Sequence, residues 1–176
     1  MKRTCTIQTP LGEMIALAEQ DDLCGLWFAG QKYAPEEAGE WLEAPGHPLF
    51  SALREQLDAY FSGQLHDFCL PLAPRGTVFQ MAVWELLRDI PTGTTTTYGT
   101  LARRLAGQRE GRIPSAQAVG GAVGRNPIAI IIPCHRVVGA GGSLTGYAGG
   151  LDRKSALLCL ENVQNQAQRG VDGAFE

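Results

Sequence analysis

In the first thirty residues apolar and polar positions alternate over 4–8, 13–18 and 23–28, with Pro10-Leu11-Gly12 and Gln20-Asp21-Asp22 between the runs. A period of two interrupted by turn-forming residues predicts three half-buried strands joined by hairpins. Residues 31–46 lose the alternation, are rich in Pro and Glu, and read as a polar connection. The period then changes. Over 48–61, Phe50, Leu53, Leu57 and Phe61 recur at helical spacing, and Gly63 stands where a helix should end. Residues 65–72 suggest one more strand, and Ala73-Pro74-Arg75-Gly76 a linker. The expected first domain, 1–74, is a small strand-and-helix unit.

Thr77 opens an expected second domain over 77–168, with Gln80 three residues later in a capping-box pattern. A helix over 78–88 would pack through Phe79, Val83, Leu86 and Leu87. After the turn Pro91-Thr92-Gly93-Thr94, a helix over 98–106 would turn Leu101 and Leu105 inward, and Pro114 suits the first turn of a helix ending at Gly124. Residues 116–123 are small-sided. Each Gly in a helix interior costs about 1 kcal/mol relative to Ala, so Gly120-Gly121 needs a reason. Tight packing on a neighbouring helix is the simpler one, and close approach to a nucleic-acid backbone is the other. The two short helices make a helix-turn-helix pair. The run Ile128-Ala129-Ile130-Ile131-Ile132 predicts a buried strand delivering Pro133, Cys134 and His135 to its end. A last helix is expected over 152–161, with Asp152 at its start, and 169–176 reads as a flexible tail. The fold class is therefore α/β (α+β), with a C-terminal helix-turn-helix domain of winged-helix-like character.

Composition narrows the picture a little. With 176 residues, 44% apolar and 19% charged, the chain can bury a proper core. No apolar run approaches the ~20 residues needed to span a bilayer, and the start shows no signal-peptide apolar core. A cytoplasmic protein without membrane partners is expected. Cys5, Cys24, Cys69, Cys134 and Cys159 are scattered with no CxxC pairing, which suits a reducing compartment. Cys5 and Cys24 fall on what read as neighbouring strands, but His47 and His66 lack ligand spacing to either, so no metal and no cofactor is expected. Charge is uneven: residues 1–76 hold five Lys/Arg against eleven Asp/Glu, and residues 98–154 hold eight against two. The second half is expected to face a polyanion.

Cys134-His135 is the candidate chemistry. Only the thiolate is a strong nucleophile, and a free thiol has a pKa of roughly 8.5, so it needs help near neutral pH. A buried, inert Cys beside a coincidental His is the plainer reading of the pair alone. In extended chain the two side chains point to opposite faces, so direct contact requires a turn at Pro133 or Arg136. Otherwise a bridging water is the natural relay, with a carboxylate orienting the far imidazole nitrogen.

The flanking residues reverse the plain reading. Asn126-Pro127, Pro133-Cys134-His135-Arg136-Val137 and Gly146-Tyr147-Ala148-Gly149-Gly150-Leu151 together closely resemble the active site of the O6-alkylguanine-DNA alkyltransferases, over about 77–163. Thr9-Pro10-Leu11-Gly12 resembles the family's first domain, which is RNase H-like, more loosely. The resemblance implies irreversible, single-use transfer of an alkyl group from O6-alkylguanine in double-stranded DNA, after the base is flipped out of the stack, and leaves activity on O4-alkylthymine open. It makes Cys134 the acceptor, His135 and Glu161 the acid–base pair lowering its pKa, and Tyr98 a hydroxyl donor to the guanine ring. Asn126 would tie the helix-turn-helix to the active-site loop. Tyr147 would wall the pocket, and Val137, Ala148, Gly149 and Lys154 would lie on the substrate side.

Gln117, Ala118 and Gly121 would meet the minor groove, and Arg109, Arg112, Arg125 and Arg136 phosphates. A monomer without cofactor suffices. Two features depart from the family pattern. Gln117 stands where many relatives carry the arginine that fills the vacated stack, and the turn over 107–113 is longer than usual. Three other readings are a non-catalytic lesion-binding relative, which would lack the cysteine, a sequence-reading helix-turn-helix regulator, and a cysteine hydrolase.

Overall fold

Alternation does fold the first thirty residues into a sheet. In this computed structural model, which describes residues 1–35, 40–109 and 111–172 (backbone alone at 109 and 163–172), β1 (Lys2–Thr9) pairs antiparallel with β2 (Gly12–Glu19). β2 in turn pairs antiparallel with β3 (Asp22–Phe28). A two-residue strand, β4 (Leu42–Glu43), adds parallel to β1 and gives the order β3-β2-β1-β4. Two residues are too few to leave a periodic signal, so β4 was not expected. Cys5 and Cys24 lie on strands separated by β2, not on neighbouring ones as expected.

α1 (Pro48–Phe61) is capped by His47, whose ring nitrogen accepts from the Leu49 N–H at 3.2 Å. It buries Phe50, Leu53, Leu57 and Tyr60 in one core with Ile7, Met14, Leu26 and Phe28. The strand expected over 65–72 does not form. Only Leu72 bridges Leu23, through bonds from Leu23 N–H to Pro71 O and from Ala73 N–H to Leu23 O. Pro71 and Pro74 remove donors that a ladder would need.

In the second domain, α2 (Val78–Arg88) carries the expected capping box between Thr77 and Gln80. α3 (Tyr98–Arg109) outruns its expected end by three residues, and α4 (Ala116–Gly124) starts at Ser115, whose hydroxyl accepts from Ala118 N–H. The Trp84 indole N–H donates to Ala122 O at 2.9 Å and fixes α4 on α2. β5 (Thr96–Thr97) pairs parallel with β6 (Val137–Val138), a ribbon that the sequence did not announce. α5 (Leu151–Asp172) is far longer than expected and takes in 169–172 of the expected tail, while 173–176 lie outside the described residues.

The largest correction concerns 128–138. The strand expected over 128–132 does not form: 128–136 is a buried loop, and only Val137–Val138 beyond it pairs, as β6. Ile128 makes a single bridge to Leu26, the chain then turns through Ile130 at φ +70, and Cys134–Arg136 form a 3₁₀ turn. Asn126 stands in for the missing ladder. Its side-chain amide donates to Ile132 O at 2.7 Å and to Ile128 O at 3.3 Å, and its carbonyl accepts from Ile128 N–H at 3.0 Å. An apolar run reports burial, which a loop satisfies as well as a strand once its backbone groups are paired.

Trp84→Phe keeps most of the apolar contact but removes the indole donor, leaving the Ala122 carbonyl only its 3.2 Å bond from Arg125 N–H. Urea unfolding of this variant should show a loss of about 0.5–1.5 kcal/mol. An unchanged midpoint would mean that the indole bond does not hold α4.

Candidate active site

The 3₁₀ turn that displaced the expected strand decides the geometry. It places Cys134, His135 and Arg136 within one tight turn, all three buried. The Cys134 sulfur opens on a cavity of about 290 Å³, whose walls include Tyr98, Gly120, Gly121, Gly146, Tyr147 and Ala148.

Behind the cysteine lies a fully buried charge cluster. Glu161, on the inward face of α5, accepts at Oε1 from His135 Nε2 at 2.6 Å and from the Tyr60 hydroxyl at 2.8 Å. Arg136 donates to it twice, Nε to Oε2 and Nη2 to Oε1, both at 2.9 Å. The same guanidinium reaches Ile90 O at 2.6 Å and the Thr92 hydroxyl at 3.0 Å. Burial alone would push the Glu161 carboxyl up, but these hydrogen bonds and charges hold it far below the usual carboxylate range. His135 is shifted down by burial, which outweighs the pull of Glu161, and its imidazole is therefore neutral. A neutral ring that donates Nε2–H to Glu161 leaves Nδ1 as a lone-pair acceptor, and Nδ1 is buried with no protein partner. That nitrogen is the available base.

Two expectations change here. Burial raises the Cys134 thiol above its ordinary pKa, although the Asn126 side chain and the Lys154 charge act to lower it. The resting group is a thiol, not the low-pKa thiolate that was expected. Arg136, expected on DNA phosphates, is 6% exposed and wholly engaged inside the protein. Glu161 reads in sequence as a solvated side chain near a helix end. The extra length of α5 puts it in mid-helix at 0% exposure instead.

The remaining candidates surround the cavity. Lys154 is buried and donates from Nζ to Thr145 O and Gly146 O, both at 3.1 Å, which pins the loop that carries Tyr147. The Tyr98 hydroxyl donates to Thr145 O at 3.0 Å, so its one proton is already committed and a ring acceptor must compete for it. Tyr147 presents a buried, unpartnered hydroxyl. Gly149 is required here: a Cβ would lie 2.8 Å from the Tyr147 ring and 3.0 Å from Phe28. Val137 is buried in β6 directly after the turn.

The Gly120-Gly121 pair resolves against the simpler explanation. A Cβ at Gly120 would sit 3.7 Å from the Tyr98 ring, and one at Gly121 would sit 3.6 Å from the Arg125 guanidinium, both ordinary contacts. Helix packing does not demand these glycines; they line the cavity. Gln117 and Ala118 are exposed on the same helix, as are Arg112 and Arg125 nearby. The side chain of Arg109 lies outside the described residues. Tyr60 was missed by sequence reasoning. It is an aromatic at a helix position that packs, and nothing local marks its hydroxyl as a partner of Glu161, 101 residues away.

Among the described residues no group of three or more His, Cys, Asp or Glu side chains is placed to hold a metal ion, and no helix is long and apolar enough to cross a membrane.

A carboxylate held this low contributes stability that is complete above its unfolded pKa, about 4.3, and disappears as pH falls toward the folded value. Stability measured by denaturant should therefore drop steeply below about pH 5. Glu161→Gln should cost about 3–5 kcal/mol at pH 7, because it strands the Arg136 charge, and should flatten the acid dependence. A variant as stable as the parent with the same acid limb would remove Glu161 from the centre of this network.

Comparison with known proteins follows the same division of the chain. The family description "6-O-methylguanine DNA methyltransferase, ribonuclease-like domain" matches residues 2–74, and "6-O-methylguanine DNA methyltransferase, DNA binding domain" matches 78–163. A methylated-DNA–protein-cysteine methyltransferase of Mycolicibacterium paratuberculosis is 46% identical over 163 residues, covering 92% of this chain and 93% of its own. A crystal structure of the Mycobacterium tuberculosis O6-methylguanine methyltransferase superimposes with a TM-score of 0.82 at 44% identity, covering 93% of this chain and 94% of that one. A structure of the Mycobacterium tuberculosis protein in complex with DNA gives 0.81 at 43% identity, covering 93% of each chain.

Proposed function

Since the chain belongs to the 6-O-methylguanine DNA methyltransferase family, and so is a DNA-binding repair protein that transfers the methyl group of O6-methylguanine to a protein cysteine, we propose that Cys134 is the acceptor and that the Tyr60–Glu161–Arg136–His135 cluster is what makes it react. The observation that carries this reading is the coincidence of a buried sulfur at a base-sized cavity with a neutral imidazole whose free nitrogen has no other partner.

The step balances simply. The sulfur–methyl bond forms as the methyl–O6 bond breaks, and the thiol proton passes through a bridging water to His135 Nδ1. O6-methylguanine lacks the N1 proton that guanine carries, so the product base takes up one proton for the one released. Glu161 stabilises the imidazolium while it exists, as a buried carboxylate does for a catalytic histidine. A thioether has no mild route back, so each molecule acts once. Tyr98 and Tyr147 wall the cavity. Val137, Ala148 and Gly149 offer backbone groups to the base edge, and Lys154 holds that wall in place.

The target atom is inaccessible within the base stack, so the nucleotide must be extruded from the duplex. α4 presents Ala118 and Gly121 to the minor groove, and Gln117 fills the vacated position, with Arg112 and Arg125 on neighbouring phosphates. The protein works as a single chain, since every element of the site comes from one copy, and a free thiol acceptor suits the reducing cytoplasm.

Incubation with duplex DNA carrying O6-methylguanine should add one methyl to Cys134, seen by peptide mass. Cys134→Ser should bind DNA and transfer nothing. The adduct on Cys5, Cys24, Cys69 or Cys159 with Cys134 unmodified would overturn the assignment.

Gln117→Ala should slow transfer from duplex DNA about tenfold, the worth of roughly one lost hydrogen bond to the orphaned partner base, while transfer from the free modified base barely changes. Equal losses on both substrates would place Gln117 in the fold or the pocket instead of the stack.

A further inference from the structure

One side of the reactive cavity belongs to neither the helix-turn-helix nor the cysteine loop. Lys32 and Tyr33 line it, and both come from the acidic first domain, on the segment that leaves β3. That segment is built to stand where it does. The Gln31 side chain accepts from Phe28 N–H at 2.9 Å and closes the turn, and Lys32 N–H donates to Ala148 O at 3.1 Å, directly on the pocket loop. Tyr33 has φ +63, a left-handed conformation that aromatic residues adopt only at a cost.

That strained backbone puts the ring in a specific place. It lies against Gly124 at the end of α4, with the Arg125 guanidinium 4.5 Å and the Lys32 ammonium 4.9 Å from its centroid. Two cations are thus held against one aromatic ring at the rim of a purine-sized pocket. Among the described residues, neither Lys32 nor Arg125 forms an ion pair. Three of the other four cations before residue 77 are used differently: Arg75 pairs with Glu19, Arg54 holds Pro45 O, and Arg3 holds Gln20 O. Two cations gathered on one ring repel each other, so an anion within reach of both would be welcome.

We propose that Lys32 and Arg125, spaced by Tyr33, form a clamp for a backbone phosphate of the extruded nucleotide, so that the first domain takes part directly in DNA binding. This rests on the transfer reaction proposed for the cavity. It also changes the expectation that the basic second half alone carries the DNA. Gln117 and Arg125 lie eight residues apart on and just after α4, roughly 12 Å along the helix, so the clamp meets the strand well away from the vacated stack. Lys32 and Tyr33 are binding residues here. They act on the flipped nucleotide's phosphate and not on the methyl group.

The test uses the full-length protein with two substrates, an O6-methylguanine duplex and the free O6-methylguanine base, which has no phosphate. Lys32→Gln should lower the ratio of duplex to free-base transfer rates about five- to tenfold. It should also make the log–log salt slope of duplex binding shallower by about 0.9, the loss of one phosphate contact. Tyr33→Leu should do the same by releasing both cations, whereas Tyr33→Phe, which keeps the ring, should match the parent. A ratio and slope unchanged in Lys32→Gln would overturn the clamp, as would equal loss on both substrates. A Tyr33→Leu variant indistinguishable from the parent would remove the ring from it. Parent protein that leaves the duplex lesion untouched would instead sink the reading of the cavity itself, so the two failures are distinct.

Discussion

A carboxylate with no access to water cannot remain charged unless its oxygens are fully satisfied, and Glu161 is the point where this protein meets that requirement. It does so by recruiting four donors from two separate places: Tyr60 from α1, and His135 with both arms of Arg136 from the 3₁₀ turn. Arg136 extends the set to the loop after α2 through Ile90 O and Thr92. Removing any member would strand a charge or a donor in the core. The first domain, the cysteine turn, the α2 loop and α5 are thereby locked into one arrangement, and that arrangement aims His135 Nδ1 away from Glu161. The same constraint that closes the fold orients the base.

Asn126 plays the matching role on the other side of Cys134. A loop as apolar as 128–132 should be expensive to bury, because its backbone has no ladder to join. One side-chain amide supplies two donors and one acceptor to that backbone, and its influence reaches the thiol itself. Asn126 follows α4 after the single cap residue Arg125, so that helix and the turn bearing Cys134 are spaced by one side chain's hydrogen bonds.

Much of this was legible from the chain. The hairpins, α1, α2 with its capping box, and α4 all follow from period, turn residues and caps, which are local signals. The site was legible through the cysteine pentapeptide and its flanking glycines. Three things were not, and each is non-local. The 128–136 loop imitates a strand, because periodicity registers burial and not backbone geometry. Arg136 looks like a surface charge, and although the resemblance set Glu161 beside His135, nothing in sequence reveals that Arg136 and Glu161 neutralise each other. Tyr60 and the Lys32–Tyr33 segment belong to a domain whose pattern says only sheet and helix, and their roles exist only once the two domains meet.

The raised pKa of Cys134 fits the logic of a protein that reacts once. A standing thiolate would attack any passing electrophile or oxidant, and with no route back each stray event would remove a molecule for good. Burial keeps the sulfur protonated and quiet. The acceptor proposed for its proton is an imidazole held neutral by burial and backed by a carboxylate that cannot easily protonate. The cluster therefore contributes little to nucleophilicity at rest. On the proposed reading of Cys134 as acceptor, it stabilises the imidazolium when a methyl group stands in line with the sulfur, so that the substrate in the cavity, more than the ambient pH, decides when the thiol becomes reactive.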